Sequence, residues 1–509
     1  MFKKPFYIYP FLFAIFPILF LFSHNMDEAS FSVIWLPLAI ALLMTLLFLL
    51  IFKLLLRDGN KAGILTSFSL IMIFSYGHIL NLMKALHVGS FAFRYLSVQQ
   101  QHLSLLLISS ILFGLTLYIL VKIKRGLDDF AKFLNIVAFS LILISLINIG
   151  FVLLSSRNAQ RYQKEDKIEV IDSKKGISEL RNIYYIIFDR YASVSTLKSA
   201  YDYDNTPFIN SLAKRGFYIA DKSVANYPVT WASLSSSLNL DYFDPDKAVD
   251  LKDAKKKLEE NQVWPFLKAK GYKFIHFGSG WHPLSRNRYA DVNFNYYFPD
   301  EFSMYLYENS LFYPILTKLF SFDRRSQKHA RVLYTFDKLA QTTDMEEPVF
   351  VFVHFQLPHQ PYTFDKNGNF ISRGEEIRRG RKRAYLEQLI FANQKIIELI
   401  DKILADSKKP PIILLQSDEG PYPLSQELDG KFDVNKMTND EIAQKMRIIN
   451  AYYLPNINKR SLYPSISPVN SFRLVFNHYF DANFDLLPDQ SYSRGGIGFI
   501  DVTNKVKYD

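Results

Sequence analysis

The chain contains no cysteine in its 509 residues, so disulfide bonds, thiolate zinc sites and cysteine nucleophiles are excluded. Charged residues are also scarce, at 21%, whereas hydrophobic residues reach 49% and phenylalanine alone contributes 45. This is rich for a soluble enzyme, and the apolar excess lies in the first third. The formal net charge of +11 accompanies no nucleic-acid motif, so we expect a membrane surface and not nucleic acid as the partner.

Five apolar runs in the first third are long enough to cross a bilayer, which takes roughly 20 residues. They are Phe6–Phe22, Val33–Phe52, Ile64–Met83, Leu103–Val121 and Phe133–Leu154. Basic residues precede the first run and follow the second and the fourth: Lys3, Lys4, Lys53, Arg57, Lys61, Lys122, Lys124, Arg125 and Lys132. The positive-inside rule then places the N-terminus in the cytoplasm and the chain after Leu154 outside.

We therefore expect a multi-pass membrane domain over residues 1–155, with five helical spans, and a charged linker over 156–181. We expect residues 182–509 to form an extracytoplasmic domain. Its apolar, β-rich runs are Ile183–Phe188, Phe217–Ala220, Lys273–Phe277, Val349–His354, Ile412–Gln416 and Ile448–Leu454. Helical patterns alternate with them at Pro207–Arg215, Trp231–Asn239, Ala254–Lys270 and Arg383–Ala405. This alternation predicts an α/β fold with a mostly parallel sheet between helices.

Carboxylates stand at the ends of two of these runs. Asp189 closes the first, and Asp418 and Glu419 close the fifth. Either could simply cap a helix or form a polar turn. Because the carboxyl ends of parallel strands share one edge, we expect these residues to hold a divalent metal ion. Oxygen ligands suit Mg, Mn or Ca, and Zn becomes possible if a histidine joins them.

Thr230 is the candidate nucleophile, and we also count it among the metal ligands. It precedes a helical pattern, where a threonine commonly serves only as the N-cap. The same position suits nucleophilic attack, because a helix N-terminus offers backbone N–H groups to a phosphate and a metal can deprotonate the hydroxyl. Ser233 and Ser235 are weaker candidates for this role.

Three histidines fall at strand ends or in proline-rich loops: His282, His354 and His359. A histidine in such a place can bond a backbone carbonyl and do nothing more. The functional interpretation is that these three side chains hold substrate oxygens or protonate a leaving group.

With these motifs in order, residues 182–488 resemble the sulfatase and phosphoglycerol- or phosphoethanolamine-transferase branch of the alkaline phosphatase superfamily. Asp189 matches the metal-binding acid after the first strand, and Thr230, followed by Ala232-Ser-Leu234, matches the nucleophile. Gly271-Tyr272 with Gly278 to His282 resembles the sulfatase Gly-Tyr…Gly-Lys-Trp-His strand, and Pro358-His359-Gln-Pro361 resembles the Pro-His-x-Pro segment that touches the substrate anion. Ser417-Asp-Glu-Gly420 matches a Ser-Asp-His-Gly metal segment. The layout of spans followed by an outer domain is similar to lipoteichoic-acid-synthase-like transferases.

The resemblance implies a bacterial cytoplasmic-membrane enzyme that moves phosphoglycerol or phosphoethanolamine from phospholipid to an envelope glycan or lipid through a phospho-Thr230 intermediate. Two departures bear on this. Cysteine is absent and Ser279-Gly280 stands where sulfatases carry a lysine, which argues against sulfate ester hydrolysis. Glu419 replaces a metal-binding histidine, which keeps open the alternative of a catalytically inactive lipid-binding or envelope-assembly factor. The oligomeric state has no signal in the sequence.

Overall fold

The computed structural model describes residues 8–26, 31–85, 96–124, 126–160, 180–247, 251–281, 284–296, 300–320, 322–346, 348–426, 432–494 and 498–508. Its α-helices are α1 (Tyr9–His24), α2 (Trp35–Leu56), α3 (Gly59–Ala85), α4 (Val98–Lys122), α5 (Asp128–Gln160), α6 (Val194–Tyr201), α7 (Thr206–Lys214), α8 (Thr230–Asn239), α9 (Leu251–Glu259), α10 (Val263–Ala269), α11 (Glu301–Glu308), α12 (Tyr313–Phe320), α13 (Arg324–Ala340), α14 (Arg373–Arg379), α15 (Arg381–Asp406), α16 (Asn439–Met446), α17 (Pro468–Phe480) and α18 (Thr503–Val506). Its strands are β1 (Ile183–Phe188), β2 (Tyr218–Ile219), β3 (Lys273–Phe277), β4 (Val292–Phe294), β5 (Val349–Phe355), β6 (Ile412–Ser417), β7 (Asn450–Tyr453), β8 (Tyr492–Arg494) and β9 (Phe499–Asp501).

Backbone contacts divide the chain into two units. The first comprises Met1–Glu165 together with Tyr297–Arg324, and the second comprises Asp166–Tyr296 and Arg325–Asp509. Helices α11 and α12 therefore belong with the N-terminal helices, although they lie between β4 and α13 in the sequence. Helix α5 continues through Gln160, into the segment predicted as a linker, and residues 161–179 of that segment lie outside the described part of the chain.

Four helices in the described residues are long and apolar enough to cross a membrane: Phe31–Leu56, Gly59–Ala85, Val98–Lys122 and Asp128–Leu154. Large apolar side chains on them are exposed, such as Leu54 at 78% and Phe151 at 72%, which fits contact with lipid. The first predicted run gives only the 16-residue helix α1, whose length is roughly 24 Å against a hydrocarbon core of about 30 Å. The prediction of five spans is therefore wrong by one.

The second unit is built on a seven-stranded sheet with the order β2-β7-β6-β1-β5-β3-β4. Strands β6, β1, β5, β3 and β4 are mutually parallel, and β7 runs antiparallel to β6 and β2. The predicted α/β fold with a mostly parallel sheet is confirmed. The central strands are fully buried, as expected for a sheet covered on both faces.

Alternate residues of each central strand pack into two different hydrophobic cores. Tyr184, Ile186 and Phe188 of β1 face one core, which includes buried residues of α15. Ile183, Tyr185 and Ile187 face the other, which includes buried residues of α17. This period of two, repeated in β5 and β6, fixes the register of the three strands and therefore the positions of the polar residues at their ends.

One predicted helix is split in two. The pattern at Ala254–Lys270 gives α9 and α10, because Asn261 between them accepts hydrogen bonds at Oδ1 from the backbone N–H of Val263 at 3.1 Å and of Trp264 at 3.4 Å. An asparagine that bonds forward in this way competes with continuation of the helix and begins a new one.

Candidate metal centre

Three neighbouring strands bring acidic and histidine side chains to one edge of the sheet. Asp189 directly follows β1, Asp418 directly follows β6, and His354 is the penultimate residue of β5. The register pairs Phe188 with both Phe355 and Ser417, so the three side chains lie at the same level. The predicted convergence of Asp189 and Asp418 is thus observed. His354, for which the sequence predicts a substrate contact, also lies here.

The three residues form a compact buried cluster, which we call the acidic group. His354 Nε2 lies 3.3 Å from Asp418 Oδ2 and 3.9 Å from Asp189 Oδ2. One ligand atom from each residue lies within 4.8 Å of the other two. Their exposed fractions are only 2% to 4%. Two carboxylates and an imidazole at these separations are a ligand set for Zn or Mn, and the carboxylates also suit Mg or Ca.

The electrostatics of the acidic group fit a bound cation. Asp189 Oδ1 and His354 Nδ1 are buried without a hydrogen-bond partner among the described residues. Burial, assisted by the charge of Asp418, raises the pKa of Asp189 to about 8. Burial lowers the pKa of His354, but its hydrogen bond to Asp418 and the nearby carboxylates outweigh this, and the net pKa is raised. A divalent cation held by these three residues would relieve the repulsion between the carboxylates and give the unpartnered Asp189 oxygen a contact.

Glu419 lies in a different arrangement, which we call the paired group. Its Oε1 atom is 2.7 Å from Lys445 Nζ and 3.0 Å from Arg190 Nε. Both cations lie over the ring of Tyr422, with distances to its centroid of 4.4 Å for Lys445 Nζ and 4.6 Å for Arg190 Cζ. Glu419 is 3% exposed and Lys445 is fully buried. Its predicted role as a metal ligand stays a prediction.

A glycine allows this pairing. Gly420 N–H donates to Lys445 O at 2.7 Å, and Lys445 Nζ donates to Gly420 O at 3.0 Å. A Cβ at position 420 would lie 2.4 Å from Gln444 O, which no side chain tolerates. The close approach of the two backbones therefore places the ammonium of Lys445 beside Glu419.

The loop after β5 carries His359 back to the acidic group. His359 N–H donates to Asp189 O at 3.1 Å, and His359 Nε2 lies 4.0 Å from Asp189 Oδ2. The buried ammonium of Lys328 donates to the carbonyls of His359 and Pro361. Burial, with the charges of Arg190 and Lys328, lowers the pKa of His359 well below its ordinary value. The ring is therefore neutral and can accept or donate a hydrogen bond to a substrate oxygen.

Thr230 is the first residue of α8, and Val229 occupies the N-cap position without a side-chain cap. The Thr230 hydroxyl makes no hydrogen bond within the described residues, so the interpretation of Thr230 as an N-cap does not hold. Its rival Ser235 donates to the carbonyl of Ala254 at 3.0 Å. The segment before α8 pairs with the chain after Lys445, through Ala225 N–H to Met446 O at 2.7 Å. His282 lies outside the described residues.

Three residues of this region had no part in the sequence prediction: Arg190, Lys328 and Lys445. Arg190 follows Asp189 directly, and that adjacency was a usable signal. Lys328 and Lys445 lie in helices α13 and α16, distant from the strand-end motifs, and only the folded chain brings them here.

The fold and the site define an α/β protein with a mostly parallel sheet and a carboxylate–histidine cluster at its carboxyl edge. The sulfatase family model matches residues 181–463, which is more than half of the chain. The chain therefore belongs to the sulfatase family. Among curated proteins, none matches the sequence.

Solved structures show a distant likeness. The C-terminal periplasmic domain of EcEptC from Escherichia coli, in complex with Zn, is 14% identical, with 67% of this chain and 96% of that chain covered and a TM-score of 0.44. The integral membrane lipooligosaccharide phosphoethanolamine transferase A (EptA) from Neisseria meningitidis is 12% identical, with 91% and 94% covered and a TM-score of 0.40. The periplasmic domain of EptC from Campylobacter jejuni is 11% identical, with 62% and 92% covered and a TM-score of 0.40.

Proposed function

We propose that the chain is a membrane-anchored, metal-dependent transferase or hydrolase that moves phosphoglycerol or phosphoethanolamine from a phospholipid to an envelope glycan or lipid. The acidic group of Asp189, His354 and Asp418, with its unpartnered buried atoms, is the observation that carries this proposal. Membership of the sulfatase family supports cleavage of an ester bond to a tetrahedral oxyanion such as phosphate. The absence of cysteine favours a hydroxyl group as the nucleophile.

Each residue has a role in this proposal. Asp189, His354 and Asp418 would hold the divalent ion, which supplies charge to polarise the phosphate and to favour the alkoxide of Thr230. The neutral ring of His359 positions an oxygen of the phosphate. His282 keeps its predicted role as a substrate contact. Glu419, predicted from the sequence as a metal ligand, pairs with Arg190 and Lys445 and is left out of the proposed ligand set.

The proposed reaction consists of two successive displacements at phosphorus. In the first, Thr230 Oγ1 forms a bond to phosphorus, the bond to the diacylglycerol oxygen breaks, and that oxygen takes the proton that Thr230 gives up. In the second, the hydroxyl of the acceptor attacks phosphorus, the bond to Oγ1 breaks, and the threonine hydroxyl is restored. With water as the acceptor, the same steps give hydrolysis.

The decisive test is Thr230→Ala in the full chain in detergent. The Thr230 hydroxyl has no hydrogen bond to lose, so the unfolding free energy should change by less than about 1 kcal/mol. Headgroup release from labelled phospholipid should fall to background, whereas Thr230→Ser should retain part of it. Ser372→Ala is the matched control, because it removes a true helix cap, in α14, and should leave release unchanged.

A trapped phospho-peptide containing Thr230, found by mass spectrometry, would support the intermediate directly. Release that continues unchanged in Thr230→Ala would overturn the mechanism. An envelope phenotype that Thr230→Ala still rescues, with no release by the wild type, would establish the noncatalytic alternative.

We also propose that the second unit lies outside the cytoplasmic membrane. The basic loops that follow α2 and α4 support this placement, and the four long helices satisfy it without α1. Because the chain has no cysteine, a single introduced cysteine reports one position. Lys408→Cys should react with an impermeant maleimide in intact cells, and Lys124→Cys only after lysis. The reverse pattern would refute the placement.

A further inference from the structure

The paired group has a feature that a purely structural ion pair would not need. Arg190 has a φ of 65°, in the left-handed region that side chains other than glycine rarely adopt. This conformation is fixed on both sides, because Tyr385 Oη donates to Arg190 O at 2.9 Å and Tyr191 N–H donates to Ser417 Oγ at 2.9 Å. Backbone strain of this kind is concentrated at functional sites.

The guanidinium of Arg190 is only partly used. Its Nε bonds Glu419 and its Nη1 bonds Gln360, the neighbour of His359. Its Nη2 makes no hydrogen bond within the described residues. The Arg190 side chain is 11% exposed, whereas Lys445 is fully buried. Of the two cations that pair with Glu419, only Arg190 can therefore reach a bound molecule.

The charges favour an anion at this position. Arg190 and Lys445 carry two positive charges against the one of Glu419, so the paired group has a net charge of +1. A guanidinium holds its N–H donors in a fixed plane, and the donors of Nη2 suit an oxygen of a tetrahedral oxyanion. Arg190 follows Asp189 in the chain and interacts with its charge, so these donors lie beside the acidic group.

We infer that Arg190 binds the substrate anion, by donating a hydrogen bond from its guanidinium to a non-bridging oxygen of the phosphate. Glu419 and Lys445 are positioning residues that hold this guanidinium in place. The inference rests on the proposed function for the identity of the substrate. It assigns Glu419 a place beside Arg190, so removal of its charge should disturb anion binding and leave metal binding intact.

The test uses the full chain in detergent, saturated with Mn²⁺, and titrates inorganic phosphate by calorimetry while metal content is measured by mass spectrometry. Arg190→Gln should weaken phosphate binding by about 10- to 100-fold, because a hydrogen bond to a charged group is lost. Arg190→Lys should recover part of the affinity, since it keeps the charge but not the fixed plane of donors. Glu419→Gln should weaken binding by a smaller factor, with unchanged metal content.

Arg215→Gln is the matched control, since Arg215 pairs with Asp401 and takes no part in the site; phosphate affinity should not change. Wild-type affinity in both Arg190 variants, or loss of the metal in Glu419→Gln, would overturn the inference. The phosphate titration measures binding and needs no turnover. If the wild type released no headgroup, the proposed function would be refuted, but the titration would still test the role of Arg190. Should Glu419→Gln fail to fold, the two Arg190 variants decide alone.

Discussion

The acidic group and the paired group occupy the same edge of one sheet, contain consecutive residues of the chain, Asp418 and Glu419, and satisfy burial in opposite ways. In the paired group the Oε1 atom of Glu419 has two cations within 3.0 Å, although its Oε2 atom makes no hydrogen bond within the described residues. In the acidic group two carboxylates share one histidine, and Asp189 Oδ1 has no partner among the described residues. A buried charge costs several kcal/mol unless it is paired. The protein therefore supplies its own counter-ions to one group and leaves the other to a ligand.

The largest effect on metal binding and turnover is expected from Asp418→Asn in the acidic group. Loss of a charged ligand should strip the metal and lower turnover by more than about 100-fold, since even outer-shell changes cost 10- to 100-fold. In the metal-free protein above pH 8, where Asp189 is ionised, the same change should raise the melting temperature, because it removes the repulsion between Asp189 and Asp418. Metal analysis and thermal unfolding, with and without chelator, measure both effects. A lower melting temperature for the metal-free variant would show that the group is already balanced.

The opposite response is expected for Glu419→Gln. Removing the only carboxylate of the paired group leaves Arg190 and Lys445 buried and close together, which costs about 3–5 kcal/mol of unfolding free energy. Lys445→Met in addition should return part of that loss, because one unpaired cation disappears. Denaturant unfolding of the two single variants and the double variant gives the coupling. Additive losses would mean that Glu419 and Lys445 do not stabilise each other.

The sequence predicts the acidic group better than the paired group, for a physical reason. The bounds of β1 and β3 were predicted without error, because buried parallel strands are short continuous apolar runs. Parallel strands must bring their carboxyl ends together, so Asp189 and Asp418 could be placed without knowledge of the packing. Lys445 depends on the close approach at Gly420, which no local pattern encodes.

Other misses follow from packing and from length. The direction in which the His354 side chain points depends on the register of β5 to within one residue. The alternating pattern of the sequence does not show which side chains surround His354, so it could not separate a metal ligand from a substrate contact. The first apolar run was counted as a span by its residue number, but its helix begins only at Tyr9 and ends at His24. The assignment of Tyr297–Arg324 to the first unit had no sequence signal at all.

His276 is a buried ionisable side chain that belongs to neither group and has no counter-ion in the part of the chain that the structure describes. His276 is 1% exposed, with ring centroids 5.6 Å from Phe352 and 6.2 Å from Phe274. Burial lowers the pKa of His276 to about 3 from an ordinary value of 6.5. Between about pH 3 and pH 6.5, His276 is therefore protonated in the unfolded chain but neutral in the folded one. The free energy of unfolding consequently decreases as the pH falls below 6.5.

The expected slope from His276 is about 1.4 kcal/mol of unfolding free energy for each pH unit below 6.5. His276→Phe suits the surrounding aromatic rings and should remove this part of the slope. Unfolding of wild type and variant at several pH values between 7 and about 4.5 gives the difference, in which the other titrating groups cancel. Parallel curves for the two proteins would mean that His276 titrates normally in the folded state.

The smallest effect is expected where an equally short ion pair lies at the surface. Arg215 Nε and Nη2 lie 2.5 and 2.7 Å from the two carboxylate oxygens of Asp401, and the Asp401 side chain is 54% exposed. Water solvates either partner once the other is removed, so Asp401→Asn should cost only about 0.2–1 kcal/mol, and less at high salt. Denaturant unfolding at two salt concentrations, run beside Glu419→Gln, measures this. A loss as large as that of Glu419→Gln would show that the distance between the charges, and not their burial, sets the cost of breaking a pair, and the contrast between the two groups at the sheet edge would lose its physical basis.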